Sequence, residues 1–143
     1  MTTKPSDADQ ELIEAASDAI RRRYRDDWQE VGAALRMRSG KIFTGVNLDA
    51  NLGRMAVCAE AVALGQAITN TGESGIETIV AVRHPTPTEK NQRITVVSPC
   101  GACRELIWDY DRNARVIVPG DNGPVVALIG DLIPRKYDPY GGA

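Results

Sequence analysis

The chain predicts an α/β domain in which a mixed sheet with parallel crossovers is covered by helices on both faces. Two observations carry this. Short β-branched, apolar runs alternate along the sequence with segments whose apolar residues recur at helical spacing. The first two runs, in contrast, flank a tight turn and read as a hairpin, so the sheet cannot be wholly parallel. At 143 residues the chain is large enough to bury a real core as one unit. We therefore expect a flexible tail over residues 1–8 and a single domain over residues 9–143.

Taken in order, residues 9–24 place Leu12, Ile13, Ala16, Ala19, Ile20 and Tyr24 on one helical face. The run Arg21-Arg22-Arg23-Tyr24-Arg25 reads as the cationic C-terminal end of that helix, balanced by Asp26 and Asp27, and not as a phosphate or RNA site. Residues 31–37 and 41–48 form two strands around the turn Arg38-Ser39-Gly40. From Val57 the Ala-rich stretch through Ile68 reads as a buried helix closed near Gly72. A strand over 76–82, a polar loop over 83–93 and a strand over 94–97 follow. Ala102, Leu106, Ile107 and Tyr110 then give a second inner helix, with Trp108 as a core residue. A strand over 114–118, a short one over 125–128 and a helical turn over 129–133, stopped by Pro134, end the pattern.

All three cysteines fall in two motifs, Cys58-Ala59-Glu60 and Pro99-Cys100-Gly101-Ala102-Cys103. Three thiolates with a spare acid suit a catalytic zinc site, which keeps one position open, better than a structural one, which takes four protein ligands. Zinc lowers the pKa of water bound to it to about neutrality and so makes a nucleophile for an electron-poor ring carbon. A carboxylate that does not ligate the metal can then carry protons from water to the ring and the departing amine, and Glu60 is the acid placed for this. The thiolate set leaves the centre negative, and the two helix N-termini on which the motifs sit supply compensating positive potential. Cys100-Gly101-Ala102-Cys103 alone would also suit a redox pair, but that reading leaves Cys58-Ala59-Glu60 and Pro99 unexplained. His84, beside Pro85 in the polar loop, reads as a surface residue, not a fourth ligand.

Composition narrows the partners. The formal charge is −2 and aromatic residues are 5% of the chain, which argues against a basic, stacking channel for a nucleic-acid polymer. No long apolar run or signal-peptide pattern suggests a membrane, and an odd cysteine count does not suggest a disulfide framework. A cytoplasmic enzyme acting on a free small molecule is the expectation.

Gly45-Val46-Asn47, Cys58-Ala59-Glu60 and Ser98-Pro99-Cys100-Gly101-Ala102-Cys103-Arg104 together resemble the cytidine deaminase family in its small three-cysteine form, over about residues 31–137. The resemblance implies a three-layer αβα sandwich around a mixed five-stranded sheet. It implies hydrolysis of cytidine or deoxycytidine to the uridine and ammonia, and a homotetramer with active sites built between subunits. On that likeness Cys58, Cys100 and Cys103 bind Zn²⁺ and Glu60 shuttles protons. The Ala59 N–H would contact the pyrimidine O2, the Ser98 carbonyl would accept from the amine, and Asn47 and Asp49 would hold ribose hydroxyls. Tyr137 resembles a residue that closes the pocket in relatives.

The chain departs from that pattern at several points. Asp49 stands where the family usually has Glu, and Arg25-Asp26-Asp27-Trp28-Gln29 replaces a Pro-Tyr-Ser-x-Phe stretch. Ala61 replaces the Arg that usually follows the catalytic Glu, and Arg104 is the candidate to offset the thiolate charge instead. A small residue at position 61, the segment from Lys41 to Asn47 and the ending from Leu132 to Tyr137 also resemble blasticidin S deaminase, a relative that acts on a cytosine-containing antibiotic. The eleven-residue step from Asn47 to Cys58 is closer to the cytidine enzymes. A deaminase of blasticidin S or another amino-heterocycle is therefore the alternative, and a non-catalytic zinc or redox module the outsider.

Overall fold

A computed structural model of the chain describes residues 1–141; the last two residues of the expected 9–143 domain lie outside the described residues. The first helix, α1 (Asp7–Arg23), opens two residues before the expected start. Ser6 and Asp9 close a capping box, the Asp9 N–H donating to Ser6 Oγ at 3.2 Å and the Ser6 N–H to Asp9 Oδ2 at 2.9 Å, which satisfies two donors at the helix start. Order reaches further into the segment expected to be a flexible tail: Thr3 exchanges two backbone hydrogen bonds with Val126, at 3.0 and 2.8 Å. Arg21, from the basic run, pairs with Asp18 and Glu14 on its own helix.

Six strands follow: β1 (Val31–Met37), β2 (Ile42–Val46), β3 (Ile76–Arg83), β4 (Thr95–Val97), β5 (Arg115–Gly120) and β6 (Gly123–Leu128). Their order is β2-β1-β3-β5-β6, and β4 also pairs with β3. The registers show how six strands fill the expected five positions. Thr78 to Val80 of β3 face β5, whereas Ala81 to Arg83 face β4, so β4 and β5 share one edge of β3. Among the described strands only β3 and β5 are parallel, fewer parallel pairings than the alternating pattern suggested. β5 and β6 are joined at Asp121-Asn122, with Gly120 opposite Gly123, and β6 begins two residues earlier than expected. Gly-Asp-Asn-Gly is a local hairpin signal, since Gly123 takes φ 113°.

Strand alternation sorts the core into two layers. Ala34, Val80, Val82, Ile117 and Val126 face Leu12, Ala16 and Ile20 of α1. Ala33, Leu35, Ile79, Val116 and Val118 point the other way, toward the inner helices α2 (Ala59–Thr71) and α3 (Gly101–Tyr110). Full burial of side chains such as Leu12 and Ile20 stabilises by about 1.5–3 kcal/mol each. This is the three-layer αβα arrangement. A short α4 (Ile129–Leu132) follows β6. No described helix is long and apolar enough to cross a membrane.

Two glycines set how deeply the helices sit. A Cβ at Gly32 of β1 would lie 2.5 Å from the Ala16 carbonyl oxygen of α1, and one at Gly45 of β2 would lie 2.6 Å from the Ala63 nitrogen of α2. Residues 32 and 45 lie on adjacent strands next to each other in register, yet admit helices on opposite faces. α2, which carries the Cys58 motif at its start, therefore rests directly on the β2 backbone.

Candidate active site

Cys58 is the N-cap of α2 and Cys100 the N-cap of α3, so both motifs begin helices whose first N–H groups and dipoles face the same spot. The Ala-rich sequence lets α2 pack closely, and Gly72, left-handed at φ 71°, closes it with an N–H bond to the Ile68 carbonyl. The sulfurs of Cys58, Cys100 and Cys103 lie within 4.8 Å of one another. Cys58 Sγ is 3.5 Å from Cys100 Sγ, too far for a disulfide, and the Cys103 N–H donates to Cys100 Sγ at 3.4 Å. Three soft, convergent donors on two helix N-termini fit zinc, with three protein ligands and room for a fourth. His84 is not among them; its ring stacks on Tyr24 with centroids 3.8 Å apart.

Burial shapes the acid–base groups. Glu60, in the first turn of α2, is only 5% exposed, and burial pushes its carboxyl above its ordinary value. It contacts the Cys103 thiol, 3.6 Å from Oε2, and no cation among the described residues pairs with it. Burial likewise raises Cys58 and, further still, Cys103, beside Glu60. Burial opposes ionisation of Cys100 too, but the Cys103 N–H and the neighbouring thiols bring it below its ordinary value.

Above the cysteines opens a cavity of about 340 Å³. Cys58, Ala59, Glu60, Ser98, Cys100, Asn47 and Asp49 all line it, so seven residues singled out from the sequence converge there, with Cys103 buried beneath. Its walls are completed by Val31, Leu48, Ala56, Val57 and Val97, which sequence reasoning did not single out. Leu48 and Val57 exchange backbone hydrogen bonds at 2.9 and 2.8 Å and pinch the loop 49–56 at the cavity mouth. The adjacency of Val57 to Cys58 was the available signal.

The Asn47 amide is largely occupied. Its Oδ1 accepts from the N–H groups of Glu30 and Val31 at 2.9 and 3.0 Å, and its Nδ2 donates to the Trp28 carbonyl at 3.0 Å. One Nδ2 hydrogen remains. Asp49 accepts from the Ala50 N–H through Oδ1 at 2.7 Å, has no cationic partner among the described residues and is exposed.

Two expected site residues stand elsewhere. Arg104 does not line the cavity; its guanidinium donates to the carbonyls of Pro99 and Leu132 at 2.9 and 3.0 Å. Tyr137 is 81% exposed and borders a separate cavity against the C-terminal half of α3, so within one chain it does not close the site.

The family model for the cytidine and deoxycytidylate deaminase zinc-binding region matches residues 6–119. A blasticidin-S deaminase from Bacillus cereus is 46% identical over 132 residues, covering 92% of this chain and 94% of its own. A probable cytidine deaminase from Dictyostelium discoideum is 30% identical over 107 residues, covering 75% of this chain and 67% of its own. The crystal structure of a cytidine deaminase from Burkholderia pseudomallei superposes with a TM-score of 0.71 at 28% identity, covering 90% of this chain and 98% of that one.

Proposed function

This chain belongs to the cytidine and deoxycytidylate deaminase zinc-binding family, a zinc-dependent hydrolytic deaminase, and from that premise we propose that it deaminates the cytosine ring of a free nucleoside, with blasticidin S as its preferred substrate. The observation that carries the substrate is the 46% identity over nearly the whole of both chains to a blasticidin-S deaminase, against 30% over a shorter span to a probable cytidine deaminase. Cys58, Cys100 and Cys103 would hold the metal. Zinc, when bound there, supplies a nucleophile from water near neutral pH.

The chain's own residues do the rest. Glu60, buried and without a cationic partner, is suited to both protonation states. It would take a proton from the attacking water, give it to the ring nitrogen, and pass a further one to the amine as the carbon–nitrogen bond breaks. Water and the amino compound thus become the oxo compound and ammonia. The N–H of Ala59, first residue of α2, has no intrahelical acceptor and would donate to the pyrimidine O2. The Ser98 carbonyl would accept from the amine. At the far end Asn47 has one hydrogen to give and Asp49 an oxygen to accept, a pair that one substrate hydroxyl satisfies by accepting and donating at once.

That complementarity favours a second reading, cytidine or deoxycytidine as the preferred substrate. Leu52 and Met55, each 61% exposed in the loop over 49–56, are apolar surface that a second copy would cover, which supports self-association; the homotetramer is the assembly expected from the sequence. Light scattering on the eluting protein tests the assembly, with a dimer or monomer mass counting against it. For the substrate, kcat/KM is compared for blasticidin S, cytidine, deoxycytidine and cytosine. Blasticidin S turning over at least tenfold better than cytidine is the expected result. The reverse order establishes the second reading, and zinc-loaded protein inert toward all four overturns both.

A further inference from the structure

We propose that Arg104 is a positioning residue, a bracket that fixes the loop carrying Ser98 and Cys100 to the C-terminal end of the chain. The inference rests on the reading that the three cysteines hold zinc. Arg104 follows Cys103, and its guanidinium reaches back to the Pro99 carbonyl at 2.9 Å through Nε and across to the Leu132 carbonyl at 3.0 Å through Nη1. Pro99 lies between the cavity-lining Ser98 and the sulfur ligand Cys100, and it has no N–H of its own to anchor it. Its carbonyl is the handle by which that turn can be held. A planar guanidinium can address two carbonyls in fixed directions at once, which the point charge of a lysine cannot.

A bracket needs a firm far end. Leu132 closes α4, and the segment after it folds back along α3. Lys136, its side chain only 6% exposed, pairs with Glu105 at 2.8 Å and Asp109 at 3.1 Å and lies 4.4 Å over the Trp108 ring. Arg112 donates to Asp138 at 3.1 Å. The C-terminal strap is thereby tied to the exposed side of the helix that brings two of the three cysteines. Arg104 joins the strap to the loop before that helix, so metal retention depends on side-chain contacts that are not themselves metal ligands. This differs from simple charge compensation, because fork geometry and not net charge carries the effect.

Zinc release to an excess of a chromophoric chelator, measured well below the unfolding transition, tests the bracket in wild type, Arg104→Lys and Arg104→Gln at low and high salt. Both variants should release zinc about 10–100-fold faster than wild type, equally at both salt concentrations, and their cobalt-substituted forms should show shifted d–d bands. Asp9→Asn is the control: it lowers overall stability away from the metal and should release zinc at the wild-type rate. Arg104→Lys matching wild type overturns the bracket, as does accelerated release from the control. Should the Arg104 variants fail to fold, Lys136→Met loosens the strap with Arg104 in place; faster release supports the proposal and wild-type release overturns it. Wild-type protein that takes up no zinc on titration overturns the metal reading itself, an outcome distinct from these.

Discussion

Asp9 and Glu60 are both buried carboxylates on the first turn of a helix, and the protein treats them in opposite ways. Burial alone would raise both. Asp9 is met by Arg115 at 2.9 and 3.2 Å and by the Ser6 N–H, and these partners outweigh burial and hold it below its ordinary value. Glu60 meets no cation among the described residues, and burial wins. The first is a fixed charge that pins α1 to the sheet, because Arg115 also donates to the buried Thr78 hydroxyl at 2.9 Å. The second is a carboxyl that no described cation holds ionised, as the proposed proton transfer requires. A buried acid is thus read by its partners and not by its depth.

The sharpest way to break the contrast is Glu60→Gln. The amide keeps the shape and removes proton transfer, so kcat should fall by at least about 10²–10⁴ while metal content and Tm stay near wild type; near-normal turnover would remove Glu60 from the chemistry. Asp9→Asn should do the reverse. Loss of its charge-assisted bonds costs about 1.5–3 kcal/mol, toward the low end because Arg115 is 33% exposed and water can replace part of the partner. Denaturant unfolding should show that loss with kcat/KM unchanged. Asp49, exposed, gives a third and smaller case: Asp49→Ala should lower kcat/KM roughly tenfold for substrates with a sugar hydroxyl and leave cytosine turnover as it is. Equal losses for both substrates would exclude the hydroxyl contact.

The smallest effect is the dependence on pH. A carboxyl whose folded pKa is depressed stabilises the fold fully above its unfolded value, about 3.9, and that stability is lost as pH falls through the lower folded value. Urea midpoints between about pH 2.5 and 6 should therefore fall on the acid side more steeply in wild type than in Asp9→Asn. Parallel curves would show that Asp9 is not held ionised by its partners.

What could be read without coordinates follows the same division. Cys58-Ala59-Glu60 and Pro99-Cys100-Gly101-Ala102-Cys103 are short, local patterns whose spacing itself encodes chemistry, and the sheet strands announce themselves by β-branched runs. The Asp9–Arg115 pair joins residues 106 apart, and no local pattern reports which distant cation will reach a buried acid. Asn47 was legible as a pocket residue, but its hold on the Trp28 to Val31 backbone depends on how β1 enters the sheet. Arg104 was singled out for its charge, whereas its role here depends on a carbonyl 28 residues downstream. Tyr137 was expected over the site and lies against the other end of α3, since Lys136 fastens that segment there. The Gly120-Asp121-Asn122-Gly123 turn, by contrast, is a local signal that places the start of β6 at Gly123.

Gly32 and Gly45, back to back on adjacent strands, have a consequence for how such an enzyme can change its diet. Any side chain at either position drives a helix off the sheet, and at residue 45 that helix carries Cys58 and Glu60. Selection for new substrates is closed along that route, because shifting the helix would dislodge the chemistry. The loop over 49–56, exposed and joined to the rest through the Leu48–Val57 bridge, carries no such constraint. Laboratory evolution toward a bulkier amino-heterocycle should accumulate its substitutions in that loop and leave both glycines untouched, so that inheritance is conservative where helices seat on the sheet and permissive at the cavity's edge.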